Sequence, residues 1–251
     1  MVKRARVAAS IVALTALIGG CSGFGETLHR LARERSASAT PTSAVSSDEL
    51  VANARPSVVK VHGESESCLK VSEGSGFVVA PHKVMTNAHV VAGAEAFMVD
   101  TTTETLEAHV ISFDPRADIA VLDVPELAAR PLKFAEYTAG AGVDTLVLGF
   151  PGATAFKASP ATIREVTDIE GPDIYRATTI TRQVYILIGS FPDAGSSGSA
   201  VVDLNGQVLG VYFGAETTDT TTGFAMTAAQ VAPQMAKADA TQATDTGECV
   251  Y

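Results

Sequence analysis

The sequence predicts an all-β fold, a sandwich or a set of barrels, with a short helix near the C-terminus. Three observations carry this. Short β-type runs recur at turn-length intervals from about residue 57, and Gly, Pro, Asp and Asn punctuate them. Helical periodicity is confined to a few short stretches. A break near residues 125–142 divides the runs into two similar halves, without a detectable internal sequence repeat.

The elements follow in order. Residues 1–20 read as a targeting segment. A basic "MVKRAR" precedes the apolar "VAASIVALTALI", which is too short to span a bilayer comfortably. The run ends in "IGGC", which resembles a bacterial lipobox, so Cys21 is expected to carry lipid and become the mature N-terminus. An ordinary signal peptide with an incidental cysteine is the alternative. Residues 21–52 are expected to be a disordered linker, because "RERSASATPTSAVSS" is a polar Ala/Ser/Thr/Pro tract with no strand pattern. "DELVANARP" reads as a short helix stopped before Pro56. The first half then offers "SVVKVHG", "SGFVVA", "KVMTNAHV", "AEAFMVD", "EAHVISF" and "DIAVLDV". The second half offers "DTLVLGFPG", "ATIREV", "ATTITRQV", "YILIGSF", "SAVVDL", "QVLGVYFG" and "TGFAMTA". "AAQVAPQMAKA" is the late helix, despite Pro233.

Charge and cysteines bound the partners. The 251 residues carry a formal net charge of −10, and three of the cations, Lys3, Arg4 and Arg6, belong to the targeting segment. Such an acidic domain lacks the basic footprint that nucleic acid needs and does not dock on anionic lipid through charge. Membrane association is therefore expected through the N-terminal lipid alone. There are 3 cysteines. With Cys21 assigned to lipid, Cys68 and Cys249 are left as a pair, and export puts them where a disulfide persists. Two free thiols are the alternative. The histidines lack H-E-x-x-H spacing and the cysteines lack C-x-x-C spacing, so no metal or other cofactor is expected.

Chemistry-bearing residues are few. Of the 5 histidines, His89 in "VMTNAHVVAG" stands at the end of an apolar strand beside small residues, where a substrate has room. Taken alone it is equally a structural histidine. Asp118 opens "DIAVLDV", where a carboxylate at a strand mouth can accept from a histidine N–H, with Asp114 and Asp123 as rivals. "DAGSSGSAVV" holds Ser196, Ser197 and Ser199 braced by glycines, either a nucleophile turn or a flexible lead into a strand.

Taken together, "TNAHVV", "ADIAVL" and "GSSGSAVVDLNGQVLGV" follow the order His, Asp, Ser. Over roughly residues 55–235 the chain resembles the chymotrypsin-like serine proteases, particularly their bacterial periplasmic branch, whose motifs read T-N-x-H-V-V, D-I-A-V-L and G-N-S-G-G-P/A. The resemblance implies a double six-stranded β-barrel, with barrels at about 53–136 and 140–235 inside a protease domain at 53–251, and a peptide or protein substrate. By the G-x-S-G register it implies Ser197 as nucleophile, His89 as general base and Asp118 as the acid that fixes the histidine tautomer. The oxyanion hole would be the N–H groups of Gly195 and Ser197. The pocket base falls on Phe191, with Tyr212, Phe213 and Gly214 as wall, which fits a small or medium apolar P1 residue. Phe191 as plain core is the alternative.

Cys68 and Cys249 flanking this domain, with "LNGQVLGVYFGA" and "TGFAMTA", resemble the actinobacterial acid-resistance periplasmic serine proteases, which carry a bracketing disulfide. Those proteases have several transmembrane helices where this chain has a lipobox. Ser196 stands where vertebrate-type enzymes have Asp, so activation by a freed N-terminus is not expected. Ser199 and Ala200 replace Gly and Pro, and Ser199 is expected to add bulk that distorts the turn. The chain is expected to act as a monomer. The rival readings are a proteolytically silent lipoprotein that keeps the fold for binding or scaffolding, and a stress protease of the HtrA type without its PDZ module.

Overall fold

A computed structural model describes residues 47–191, 195–238, 240 and 242–250. The targeting segment, Cys21 and residues 22–46 lie outside the described residues; residues 47–52, expected to be disordered linker, are instead helix, because Leu50 docks in the apolar core.

Twelve strands form two closed six-stranded barrels. The first runs β1 (Val58–Ser65), β2 (Lys70–Ala80), β3 (Lys83–Thr86), β4 (Ala96–Asp100), β5 (Thr105–Asp114) and β6 (Ile119–Asp123), in the spatial order β1-β2-β3-β6-β5-β4. The second runs β7 (Asp144–Gly149), β8 (Lys157–Pro172), β9 (Thr179–Gly189), β10 (Ala200–Asp203), β11 (Val208–Ala215) and β12 (Thr222–Thr227), in the order β10-β11-β12-β9-β8-β7. Helix α1 (Ser47–Ala54) precedes them, α2 (Ala88–Val91) is one turn after β3, and α3 (Ala228–Met235) closes the second barrel.

Alternation explains why so many strands are apolar on both faces. In β1, β2 and β6, Val59, Val78 and Leu122 point into the first barrel, while their neighbours Val58, Phe77 and Val121 point into the seam between barrels. In β10, Val201 fills the second barrel and Val202 the seam. A strand buried on both sides has no polar face, so it reads as a continuous apolar run.

Two expectations change. "ATTITRQV" and "YILIGSF" are one continuous strand, β9, of 11 residues, paired along its length with a β8 of 16 residues that extends well beyond "ATIREV". The paired edge supplies hydrogen bonds where the apolar pattern fades. "KVMTNAHV" is strand only to Thr86, and His89 stands on the turn of α2 instead. The break near 125–142 is the connection between barrels, pinned where Phe134 bridges Val208. Helix α3 forms despite Pro233, started by Thr227, whose hydroxyl accepts the Gln230 N–H at 3.1 Å.

Cys68 and Cys249 are joined by a disulfide, with Cα atoms 6.0 Å apart and a separation of 181 positions in sequence. The tail it carries lies on the first barrel. Thr244 N–H donates to the Val110 carbonyl at 2.8 Å, Gly93 N–H to Thr246 at 3.1 Å, and Thr246 Oγ1 to Ala94 at 2.9 Å. Gly93 has φ of +69°, and a side chain there would press on both cysteines. The clamp therefore grips the backbone just after α2, the turn that bears His89.

Closing a loop of this length is worth roughly 5 kcal/mol in the chain-entropy model. Replacing both Cys68 and Cys249 by Ser should lower the thermal midpoint by on the order of 10 °C. Calorimetry of the double variant checks it, and an unchanged midpoint would show that the tail's hydrogen bonds hold without the bridge.

Candidate active site

The first half of the site is built where β3 and the β5–β6 turn meet. Asp114 organises that turn, its Oδ1 accepting the N–H groups of Arg116 at 3.0 Å and Ala117 at 2.9 Å. Asp118 then takes φ of +53°, a conformation in which Asp is among the better-tolerated side chains. Its carbonyl accepts Asn87 Nδ2 at 2.8 Å. Its carboxylate, 7% exposed, accepts the His89 backbone N–H at 3.0 Å and His89 Nδ1 at 2.9 and 3.0 Å. This pattern puts the neutral imidazole proton on Nδ1 and leaves Nε2 free as a base. Burial lowers the His89 pKa, but the charge and hydrogen bond of Asp118 outweigh it, so the net shift is upward, with Lys70 opposing.

Arg182 of β9 reaches across from the second barrel to the same turn. Its Nε and Nη2 both donate to the Arg116 carbonyl, at 3.1 and 2.7 Å, and Nη1 donates to the Pro172 carbonyl at 3.1 Å. Arg182 is buried, which lowers its pKa, and the charges of Asp118, Asp173 and Asp114 oppose that shift only in part. Two donors from the second barrel thus hold the turn that carries Asp118.

The second half is the turn from Gly195 to Ala200. Gly195 has φ of +93° and Gly198 of +85°, and a side chain at either would collide with backbone, at Ala153 and at Ser75 respectively. Gly198 N–H donates to the Tyr212 carbonyl at 2.8 Å and Ser199 N–H to the Ser196 carbonyl at 3.0 Å. Ser196 and Ser199 are buried, and Ser197 alone of the three serines is part-exposed. Its hydroxyl makes no hydrogen bond among the described residues. The halves meet at Gly74, where an added Cβ would sit 2.7 Å from Val90, next to His89, and 3.1 Å from the Ser197 carbonyl.

The expected distortion by Ser199 is absent from the described backbone of this turn. The Ser199 hydroxyl lies against Gly149 of β7, at the space a side chain would otherwise fill. The glycine on the neighbouring strand leaves room for the extra bulk, and the turn keeps its hydrogen bonds. The Ser199 hydroxyl itself has no partner among the described residues.

Phe191 belongs to the core of the second barrel, stacked on Tyr212 with centroids 5.3 Å apart and enclosed by Gly189 and Gly223. Tyr212 is likewise buried. Beyond Tyr212, strand β11 leaves its pairing with β10 while still pairing with β12, so Phe213, Gly214 and Ala215 form a free edge among the described residues. Gly214 has open space where a side chain would stand. An extended peptide can add to such an edge. The residues that sequence reasoning missed are Ser75, Gly149, Asp114 in its turn-building role and Arg182. Only Ser75 carried a signal, in the flanking glycines of "GSG" that mark a close backbone approach.

The profile of the trypsin-like peptidase domain matches residues 74–211. The serine protease Rv3671c of Mycobacterium tuberculosis is 48% identical over 213 residues, covering 84% of this chain and 53% of that protein. The mitochondrial serine protease HTRA2 of Bos taurus is 32% identical over 170 residues, covering 65% of this chain and 37% of its own length. The chain thus spans about half the length, or less, of these curated relatives. The crystal structure of the active form of the Rv3671c protease matches with a TM-score of 0.79 at 48% identity, over 85% of this chain and 94% of that one. The inactive form matches with 0.69 at 46% identity, over 80% and 98%.

Two outcomes are expected from the site's geometry. The His89 imidazole should titrate above the ordinary histidine value of about 6.5, and Asp118→Asn should lower its pKa, as followed by NMR. A raised folded-state pKa means that the pair stabilises the fold fully below the unfolded value. That contribution is lost as pH rises through the folded one. Ser199→Ala should leave the thermal midpoint unchanged or slightly higher, because it removes an unpartnered hydroxyl.

Proposed function

The chain belongs to the trypsin-like peptidase family, and from that premise we propose that it is an exported serine endopeptidase that cuts peptide bonds through an acyl-enzyme. Ser197 Oγ attacks the scissile carbonyl while His89 Nε2 takes its proton. The oxyanion is held by the N–H groups of Gly195 and Ser197. Collapse expels the amine, which receives the proton from Nε2, and water then repeats the sequence to free the acid. Asp118 holds the imidazole in the tautomer this requires and stabilises the imidazolium.

The observation that carries the reading is the pairing of His89 Nδ1 with Asp118 at 2.9 Å, beside a turn in which Ser197 is the one accessible serine. The better match to the active than to the inactive form of the Rv3671c protease supports it. The substrate is an extended peptide seated along Phe213–Ala215, with a small or medium apolar P1 residue near the Phe191–Tyr212 stack. The protease domain, which begins with α1 at Ser47, is tethered as a monomer by lipidated Cys21 and the linker that follows it to a membrane, facing the periplasm or cell wall. A second reading, a silent protease-fold binding module, is favoured by one observation, the Ser197 hydroxyl that makes no hydrogen bond to His89. Serine–base contacts are often loose before substrate binds, which favours the enzyme.

A fluorophosphonate probe on the full chain decides between them. Ser197→Ala should abolish labelling and peptide cleavage, while Ser196→Ala and Ser199→Ala keep both. Labelling mapped to another serine would overturn the assignment, and none at all would favour the silent module. As pH rises, kcat/KM should rise with an acid limb above about 6.5, because His89 must be neutral to act as base. Asp118→Asn should cost about 10⁴-fold in kcat. Cys21→Ser should move the protein out of the membrane fraction, as read by blotting.

A further inference from the structure

We infer that Ser75, on a strand of the first barrel, is the positioning residue that holds the Gly195–Ser197 turn of the second barrel in the shape its oxyanion donors need; this rests on the peptidase reading above. Ser75 is fully buried. Its hydroxyl donates to the Gly195 carbonyl at 2.7 Å and accepts the Phe150 N–H at 2.9 Å. Because the Phe150 N–H can only donate, the hydroxyl proton is directed to Gly195. The Ser75 backbone N–H donates to the Ser197 carbonyl at 2.8 Å, and its own carbonyl accepts Thr86 Oγ1 at 2.7 Å. One residue therefore holds the carbonyls on both sides of Ser196, from 120 positions away in sequence.

The turn needs such a hold. Gly195 at φ of +93° is a residue that reaches negative φ just as easily, so nothing in its own chemistry keeps it there. Fixing its carbonyl removes rotation about ψ, and fixing the Ser197 carbonyl does the same two residues on. The Ser196 carbonyl between them accepts the Ser199 N–H, which sets the plane of the peptide that carries the Ser197 N–H. The surroundings leave room for this arrangement. A side chain at Gly149 would stand 2.7 Å from the Ser75 hydroxyl, and one at Gly198 would collide with the Ser75 carbonyl.

The inference separates from a merely structural hydrogen bond by what it protects. In the full chain, Ser75→Ala should lower kcat roughly 10- to 100-fold, below the 10²–10³-fold cost of losing a donor outright, with KM within about twofold. Affinity for a peptide boronate, whose tetrahedral adduct fills the oxyanion site, should fall with kcat. Affinity for a product peptide, measured with Ser197→Ala in both backgrounds, should not change. The Gly198 and Ser199 amides should exchange with deuterium about tenfold faster, with strand amides unaffected. Ser75→Cys, similar in size but a weaker donor, should fall between, and carries the same comparison if Ser75→Ala does not fold. Wild-type kcat and boronate affinity in Ser75→Ala would overturn the inference. So would equal losses for boronate and product peptide together with faster exchange throughout both barrels. If the wild-type chain neither labels nor cleaves, the peptidase reading fails by itself, and exchange at Gly198 and Ser199 still decides whether Ser75 holds the turn.

Discussion

The constraint on which the site depends is the register of one barrel against the other. His89 and Asp118 belong to the first barrel, Gly195 and Ser197 to the second. An apolar seam buries area but is tolerant of sliding, because dispersion contacts carry no direction. Hydrogen bonds do, and the seam has them at two ends. Ser75 of the first barrel binds the carbonyls of Gly195 and Ser197 in the second. Arg182 of the second binds the carbonyl of Arg116 in the first, two residues before Asp118. Each half of the site is thus tied to the opposite barrel, and the buried groups involved lose their partners if the barrels shift.

Helix α3 and the C-terminal tail add a frame around the same seam. Gln234 of α3 accepts the Ser112 hydroxyl at 3.0 Å and donates to Asp114, the carboxylate that shapes the Asp118 turn. The tail lies across the backbone after α2 and meets Tyr175, from the turn joining β8 and β9, whose hydroxyl accepts the Glu248 N–H at 3.1 Å. The disulfide makes this tail contact, poor in apolar side chains, persistent. The turn bearing His89 is therefore held by Asp118 on one side and by the tail at Gly93 on the other.

Much was legible in the sequence for reasons local to each segment. The all-β class follows from the short apolar runs, and helix α1 stops at Ala54, giving way to a 3-10 turn over Arg55–Ser57 that holds Pro56, whose ring and missing N–H do not fit a helix interior. His89, Asp118 and Ser197 were singled out by the resemblance of "TNAHVV", "ADIAVL" and "GSSGSAVV" to protease motifs, because the local pattern of each segment by itself fits a structural role equally well. The extent of β8 and β9 was not legible, since their outer halves carry only scattered apolar residues such as Val166, Ile169 and Ile180 and are held by pairing with one another. Local pattern cannot report a partner strand.

By itself, then, the sequence determined the class of fold, the helix ends, the order of the His, Asp and Ser segments and the cysteine pair, because periodicity, turn residues and redox chemistry act over a few residues or need only a count. Tertiary structure decided which serine is accessible, by burying Ser196 and Ser199. It decided where the Ser199 side chain goes, by placing Gly149 opposite it. It also brought Ser75 and Arg182 to the seam, as partners for carbonyls 120 and 66 positions away. Contacts at that separation depend on how two closed barrels pack, and side-chain type alone carries no record of it.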